Sequence, residues 1–241
     1  MRLGMATPRS ALAVAAHPDD AEFGCGGTLA RWAAEGCVVH HLVLTDGSKG
    51  SWDAHTDTAE LVATRQDEQR AAAKALGATG DVRFLGRVDG ELETGVAERR
   101  AVVSVLRELR PEAVLGHDPW RRYRLHTDHR NAGWLVGDAI VAARDPHFFP
   151  DIGPSPWRPS WLLFWEADEP DVAIDVSAYV DAKLDALEAH VSQFRSTMAI
   201  ADPASTAERD RFRRRVLDGL GTWGRQVGVR HAEVFRLLDE L

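Results

Sequence analysis

Two short stretches place side chains capable of metal and proton chemistry at close spacing: His17-Pro18-Asp19-Asp20 and His126-Thr127-Asp128-His129. Imidazole and carboxylate hold zinc in hydrolytic sites, usually three from the protein with a fourth position left to water. His17, Asp20 and His129 supply two imidazoles and one carboxylate. Pro18 and Asp19 separate the first two, so a turn can aim both at one ion while Asp19 points elsewhere. A carboxylate beside the ion, not bound to it, is the general base that a metal hydrolase needs, and Asp19 takes that role in this reading. His126 is placed to stabilise the oxyanion of a tetrahedral intermediate and to protonate a leaving amine. Asp128 would orient it, as carboxylates commonly orient histidines at such sites.

For these residues to meet, the two stretches must lie at the same end of one scaffold. The apolar run "ALAVAA" (11–16) reads as a buried strand that leads directly into His17, and 22–35 reads as a helix. Strands follow at 37–45, 81–86 and 112–117, alternating with helices at 58–77 and 94–110. Further strands are expected at 161–168 and 172–177, then helices at 178–195 and about 204–220. This alternation implies an α/β, Rossmann-like fold: a mostly parallel sheet with helices on both faces, in a single domain over 1–241. In such sheets ligands bind beyond the carboxyl ends of strands, where the strand order reverses. Strands 11–16 and 112–117 are the candidates for that switch point, because the two chemical stretches follow them.

Bulk properties exclude several classes of function. The 241 residues are 44% hydrophobic with a formal charge of -8, and the pI near 5.7 lacks the basic balance of a nucleic-acid-binding domain. Cys25 and Cys37 are too few for a disulfide framework, so a cytoplasmic setting is the expectation. The apolar run after Arg2 and Arg9 is short for an export signal, and no stretch approaches a membrane span. "GCGG" (24–27) lacks the spacing of a dinucleotide loop and is read as close helix packing. Cys25 is read as a small packed residue, and His40 and His41 as structural.

Substrate contacts are sought in the loops. Lys49 lies in "DGSKGS" (46–51), a rim loop that either touches substrate or only borders it. Arg124 ends "RRYR" (121–124), which is either a contact for an anionic group or a solvated loop. Trp120, Trp157, Trp161 and Trp165 offer either sugar-stacking surfaces or packing. Residues 145–160, rich in proline and aromatics, read as an irregular, lid-like loop beside the site.

The blocks "AHPDDAEFGCGGTLARWAAEG", "LVLTDGSKG", "TRQDEQRAAAKALG" and "HTDHRNAG", with a weaker "HVSQFRST" at 190–197, together resemble the PIG-L/LmbE-like zinc-dependent deacetylases. Thr127 stands where that family usually has proline. The resemblance implies ligands at His17, Asp20 and His129, a base at Asp19, and an electrophilic or acid role for His126 with Asp128 behind it. It also implies one zinc ion per chain, with ferrous iron as the alternative metal. The substrate would be a small amidated sugar of the N-acetylglucosamine type, met by one chain or by a homo-oligomer, with no nucleic acid and no membrane involved. Two other readings stand beside it. A metal-dependent phosphodiesterase would use Asp118 and Asp128 for a second metal, and a non-catalytic ligand-binding module would use the metal ligands alone.

Overall fold

In the computed structural model, which describes all 241 residues, the apolar run expected as a strand forms β2 (Ser10–Ala15). Its side chains alternate between the two faces of a sheet. Ala11, Ala13 and Ala15 pack with Leu29 and Trp32 of α1 (Asp20–Ala34). Leu12, Val14 and the following Ala16 pack on the other face with Val102 and Leu106 of α3 (Val96–Leu109) and Leu135 and Val136 of α4 (Thr127–Arg144). Burial on both faces is why the strand reads as an unbroken apolar run rather than an alternating one.

The sheet has eight strands: β1 (Arg2–Leu3), β2, β3 (Val38–Thr45), β4 (Val82–Arg87), β5 (Ala113–His117), β6 (Trp161–Trp165), β7 (Val172–Asp175) and β8 (Ala232–Leu238). Their spatial order is β1-β7-β8-β6-β5-β2-β3-β4. β2 pairs in parallel with both β3 and β5. The chain therefore runs outward through β3 and β4, then returns to the other side of β2 as β5. That reversal is the switch point anticipated at strands 11–16 and 112–117, and the loops that follow β2 and β5 open beside each other there. α2 (Thr58–Ala75), capped by the Asp57 carboxylate on the amides of Ala59 and Glu60, crosses from β3 to β4.

Several expected elements come out differently. β8, not anticipated, is antiparallel to both β6 and β7 and fills the gap between them. The helix expected over 178–195 stops as α5 (Val180–Glu188), and a 3-10 turn (Val191–Gln193) and a π-helical turn (Phe194–Met198) replace the rest. The tighter and wider turns let Gln193 be buried with its amide on the Gly50 carbonyl, and let Ser192 bond Glu68. A straight helix would carry these groups past their partners. α6 (Thr206–Val227) runs on beyond 220 until Gly228 takes a left-handed conformation at φ 79°.

The loop at 145–160 is not a lid over the site. It returns the chain from α4 to the start of β6, which is parallel to β5, so it must lie at the amino end of the sheet. The Trp157 indole bonds Pro111 O, just ahead of β5, and Arg107 donates to the carbonyls of Asp145, Phe148 and Phe149. No helix is long and apolar enough to cross a membrane.

Candidate metal centre and active site

The turn after β2 sets the site. Pro18 is followed by Asp19 at φ 98°, a left-handed conformation that costs a non-glycine residue free energy. Two side chains of α2 hold the turn in place. The Asp19 amide donates to Gln69 Oε1 at 3.1 Å, and Arg65 Nη2 donates to Pro18 O at 2.6 Å. The same guanidinium lies 3.6 Å from the Asp19 carboxylate. Asp20 opens α1 and accepts the His17 amide at 2.7 Å, which closes the turn on itself.

His17 Nδ1, the Asp20 carboxylate and His129 Nε2 converge. His17 Nδ1 lies 3.2 Å from Asp20 Oδ2 and 3.2 Å from His129 Nε2, and His129 Nε2 lies 3.3 Å from Asp20 Oδ1. Ligands at about 2.1 Å in a tetrahedral shell stand roughly 3.4 Å apart, so each of these contacts is on the scale of one edge of such a shell, with the Asp20 carboxylate meeting the two imidazoles through different oxygens. The other ring nitrogen of His17 supports that assignment. Burial lowers the His17 imidazole, but Asp128, Asp20 and Asp89 more than offset it and hold it well above the usual range; Nε2, 3.1 Å from both Asp128 Oδ2 and Asp89 Oδ1, keeps its proton, and an ion at the centre would displace the one on Nδ1. These residues fit a divalent ion.

Electrostatics separate the two aspartates. Burial raises the Asp20 carboxyl, but the imidazoles of His129, His117 and His17 more than offset it and hold Asp20 well below the usual carboxylate range. Burial pushes the Asp19 carboxyl up to about 6, against the opposing Arg65 guanidinium. Burial likewise takes His129 down to about 3, so its imidazole is neutral, as a ligand must be. His126, lowered by burial and by His17, stacks on His129 at 4.5 Å between ring centroids. These groups line a cavity of about 380 Å³ that has no apolar side chain in its wall and also takes in Lys49, Gly50, Arg65, Asp89, Gln193 and Thr197.

Some expected partnerships are redrawn. Asp128 faces His17, not His126, because its two oxygens accept the amides of Gly90 and Leu92 and that fixes its direction. Lys49 lines the cavity and pairs with Glu91 at its rim. Arg124 does not line it: its guanidinium donates to His129 Nδ1 and pairs with Glu166, which in the metal-free protein leaves the His129 proton on Nε2; a metal ion at Nε2 would send that proton to Nδ1 and turn the guanidinium toward Glu166. Trp120 does not line it either and packs edge-on against Trp134 and Phe164. Asp118 accepts the Trp120 amide and borders a separate groove with Arg122 and Asp168, so Asp118 and Asp128 do not assemble a second metal set.

Three residues of the site were not anticipated. His117 ends β5, where the Trp165 indole donates to its Nδ1 at 3.2 Å. Its Nε2 lies 3.3 Å from Asp20 Oδ2 and 3.4 Å from the Ala16 amide, and with the proton on Nε2, the tautomer that the Trp165 donor selects, His117 steadies the candidate ligand. Arg65 and Asp89 lie on α2 and just after β4, and only the rule that sites gather at the carboxyl ends of strands pointed toward Asp89.

Residues 12–140, which carry both chemical stretches, match the family described as PIG-L, GlcNAc-PI de-N-acetylase. The chain belongs to the PIG-L family. Among its PIG-L relatives is the diacetylchitobiose deacetylase of Thermococcus kodakarensis, 35% identical over 77% of this chain and 70% of that protein. The 1D-myo-inositol 2-acetamido-2-deoxy-α-D-glucopyranoside deacetylase of Rhodococcus jostii is 32% identical over 77% of this chain and 82% of its own. In three dimensions the N,N′-diacetylchitobiose deacetylase of Pyrococcus horikoshii superposes with a TM-score of 0.86 at 28% identity, covering 96% of this chain and 84% of its own.

Proposed function

We propose that this PIG-L protein is a zinc-dependent N-deacetylase, an amidohydrolase that releases acetate from an N-acetylglucosamine-like sugar. The observation that carries the reading is the meeting of His17 Nδ1, His129 Nε2 and the two oxygens of Asp20 at 3.2–3.3 Å beside a buried carboxylate, Asp19, that binds none of them. His17, Asp20 and His129 would hold a divalent ion, which would supply Lewis acidity and lower the pKa of a water toward neutral. Asp19 accepts the proton of that water as the new C–O bond forms. His126, held neutral, donates a hydrogen bond to the developing oxyanion. As the amide C–N bond breaks, the proton that Asp19 took from water passes to the leaving nitrogen, which restores the carboxylate, and acetate and the free amine depart. Arg65 keeps the Asp19 turn in place and lies close enough to stabilise its anionic form.

The substrate class follows from the cavity wall and from the relatives. A polar cavity of about 380 Å³ suits a hydroxyl-rich pyranose with a short acyl group and offers no apolar channel for a long one. The named activities of the diacetylchitobiose and inositol-glucosamine deacetylases support the same chemistry. The test is acetate release from N,N′-diacetylchitobiose, N-acetylglucosamine and an N-acetylglucosaminyl-inositol by protein of measured metal content. Release from at least one, lost in Asp19→Asn with zinc retained, supports the reading. No release from any by fully loaded protein overturns it.

A further inference from the structure

α1 is broken. Cys25 leaves helical geometry at φ -147° and ψ 16°, which divides the helix into a short opening segment, residues 20–24, and a longer one. In an unbroken helix the amides of Gly27 and Thr28 would donate to the carbonyls of Phe23 and Gly24. Here they donate to Glu233, at 2.9 Å to Oε1 and 2.7 Å to Oε2. The carbonyls of Glu22 and Phe23 instead receive Lys183 Nζ, each at 2.8 Å. The third ammonium proton reaches Glu233 Oε1 at 2.6 Å. Both side chains are 2% exposed, so water does not share the work.

We propose that Lys183 and Glu233 are positioning residues: a charged splint spans the break in α1 and fixes the opening segment that carries Asp20. This rests on the metal-site reading above. The splint restores what the break removes, an anion at the new amino terminus and a cation at the new carboxyl terminus. A segment of five residues cannot hold a helical turn by itself. The glycines leave room for the splint. A Cβ on Gly26 would come within 3.3 Å of Lys183 Cγ, and one on Gly27 within 2.9 Å of Val176 Cβ as well as 3.2 Å of Glu233 Oε1.

The break also brings Gly24 against the Trp165 ring, where a Cβ would lie 2.5 Å from Cγ. Trp165 in turn orients His117 toward Asp20. Through both routes, displacing the opening segment moves the Asp20 carboxylate relative to His17 and His129.

The test compares wild type with Lys183→Met/Glu233→Gln, which removes both charges so that neither is left buried alone. Zinc affinity is read by competition with a chromophoric chelator, beside the Tm of the metal-free protein. The double variant is expected to bind zinc at least about tenfold more weakly, the scale on which outer partners of metal ligands act. Val103→Ala, on the other face of the sheet, should lower Tm and leave zinc affinity unchanged. Unchanged affinity in the double variant, or equal loss in Val103→Ala, overturns the splint. A wild type that binds no zinc overturns the metal-site reading first and the splint with it. Hydrogen exchange on the wild type needs no variant to fold: the Gly27 and Thr28 amides should exchange as slowly as those of β2, and rapid exchange refutes the proposal.

Discussion

Asp19→Asn should make the metal-free protein more stable as well as inactive, and the gain should depend on pH. The Asp19 side chain is 8% exposed, and burial raises its carboxyl from an ordinary 3.8 to about 6. The folded state therefore holds a proton that the unfolded state has released between these values. Stability contributed by this group falls as pH rises from about 4 to 6 and is level above that. The difference corresponds to about 3 kcal/mol at pH 7 and to a small fraction of that at pH 4. Asparagine is never ionised, tolerates a left-handed backbone, and escapes this cost. In a chain of this size the variant should melt roughly 5–10 °C higher at pH 7 than wild type, with little gain at pH 4. Thermal denaturation of chelator-treated protein across that range measures it, with acetate release from zinc-loaded samples measured in parallel. Equal stabilisation at both pH values, or a lower Tm at pH 7, would refute the argument that Asp19 is held as a costly buried carboxylate.

Other expectations follow from the same geometry. Chelation should abolish acetate release and added zinc should restore it, while His129→Ala should retain less than about a tenth of wild-type metal by elemental analysis. Trp165→Phe removes the indole N–H that fixes the His117 tautomer; zinc affinity should fall about three- to tenfold, and an unchanged affinity would take His117 out of the site's support. Arg124→Ala should shift zinc affinity while KM stays within about twofold, because the guanidinium faces His129 and Glu166 and does not line the cavity. A large rise in KM alone would return Arg124 to the substrate.

The parts of the site that were legible in the sequence are those whose chemistry is local. The His17–Asp20 turn announces itself because an imidazole and two carboxylates fall within four residues directly after a buried strand. His126 and His129 fall within one turn of a helix at the other half of the switch point. Partnerships made across the fold left no such trace. Asp128 is captured by the amides of Gly90 and Leu92, and nothing near residue 128 indicates that. Arg65 looks like one of many charges on an exposed helix, yet it is buried with its guanidinium on Pro18 O and Gly47 O. The parallel strands were readable from their apolar runs, whereas β8 carries Glu233 and Arg236 and sits among antiparallel neighbours. The glycines at 24–27 could be assigned to close packing, but the identity of what packs there, Trp165, Val176 and the Lys183 side chain, depends on tertiary structure.

The place of β8 in the sheet has a consequence for how the chain is made. Residues 232–238 lie between β6 and β7, and both of those strands leave the ribosome well before them. Until β8 arrives, β6 and β7 each present an unpaired edge of main-chain donors and acceptors, which is a template for joining other chains. The nascent protein thus passes through a stage in which most of the sheet exists but its interior has an open slot. Closing that slot is a long-range event and should be slow relative to formation of the β2–β4 half. Glu233 enters with the same strand, so the amino-terminal segment bearing Asp20 waits for the carboxyl-terminal strand before it is locked. A chain stalled or clipped ahead of residue 232 would then be both adhesive and poor at retaining metal, and the cell would meet it as a substrate for chaperones and proteases instead of as a weakened enzyme.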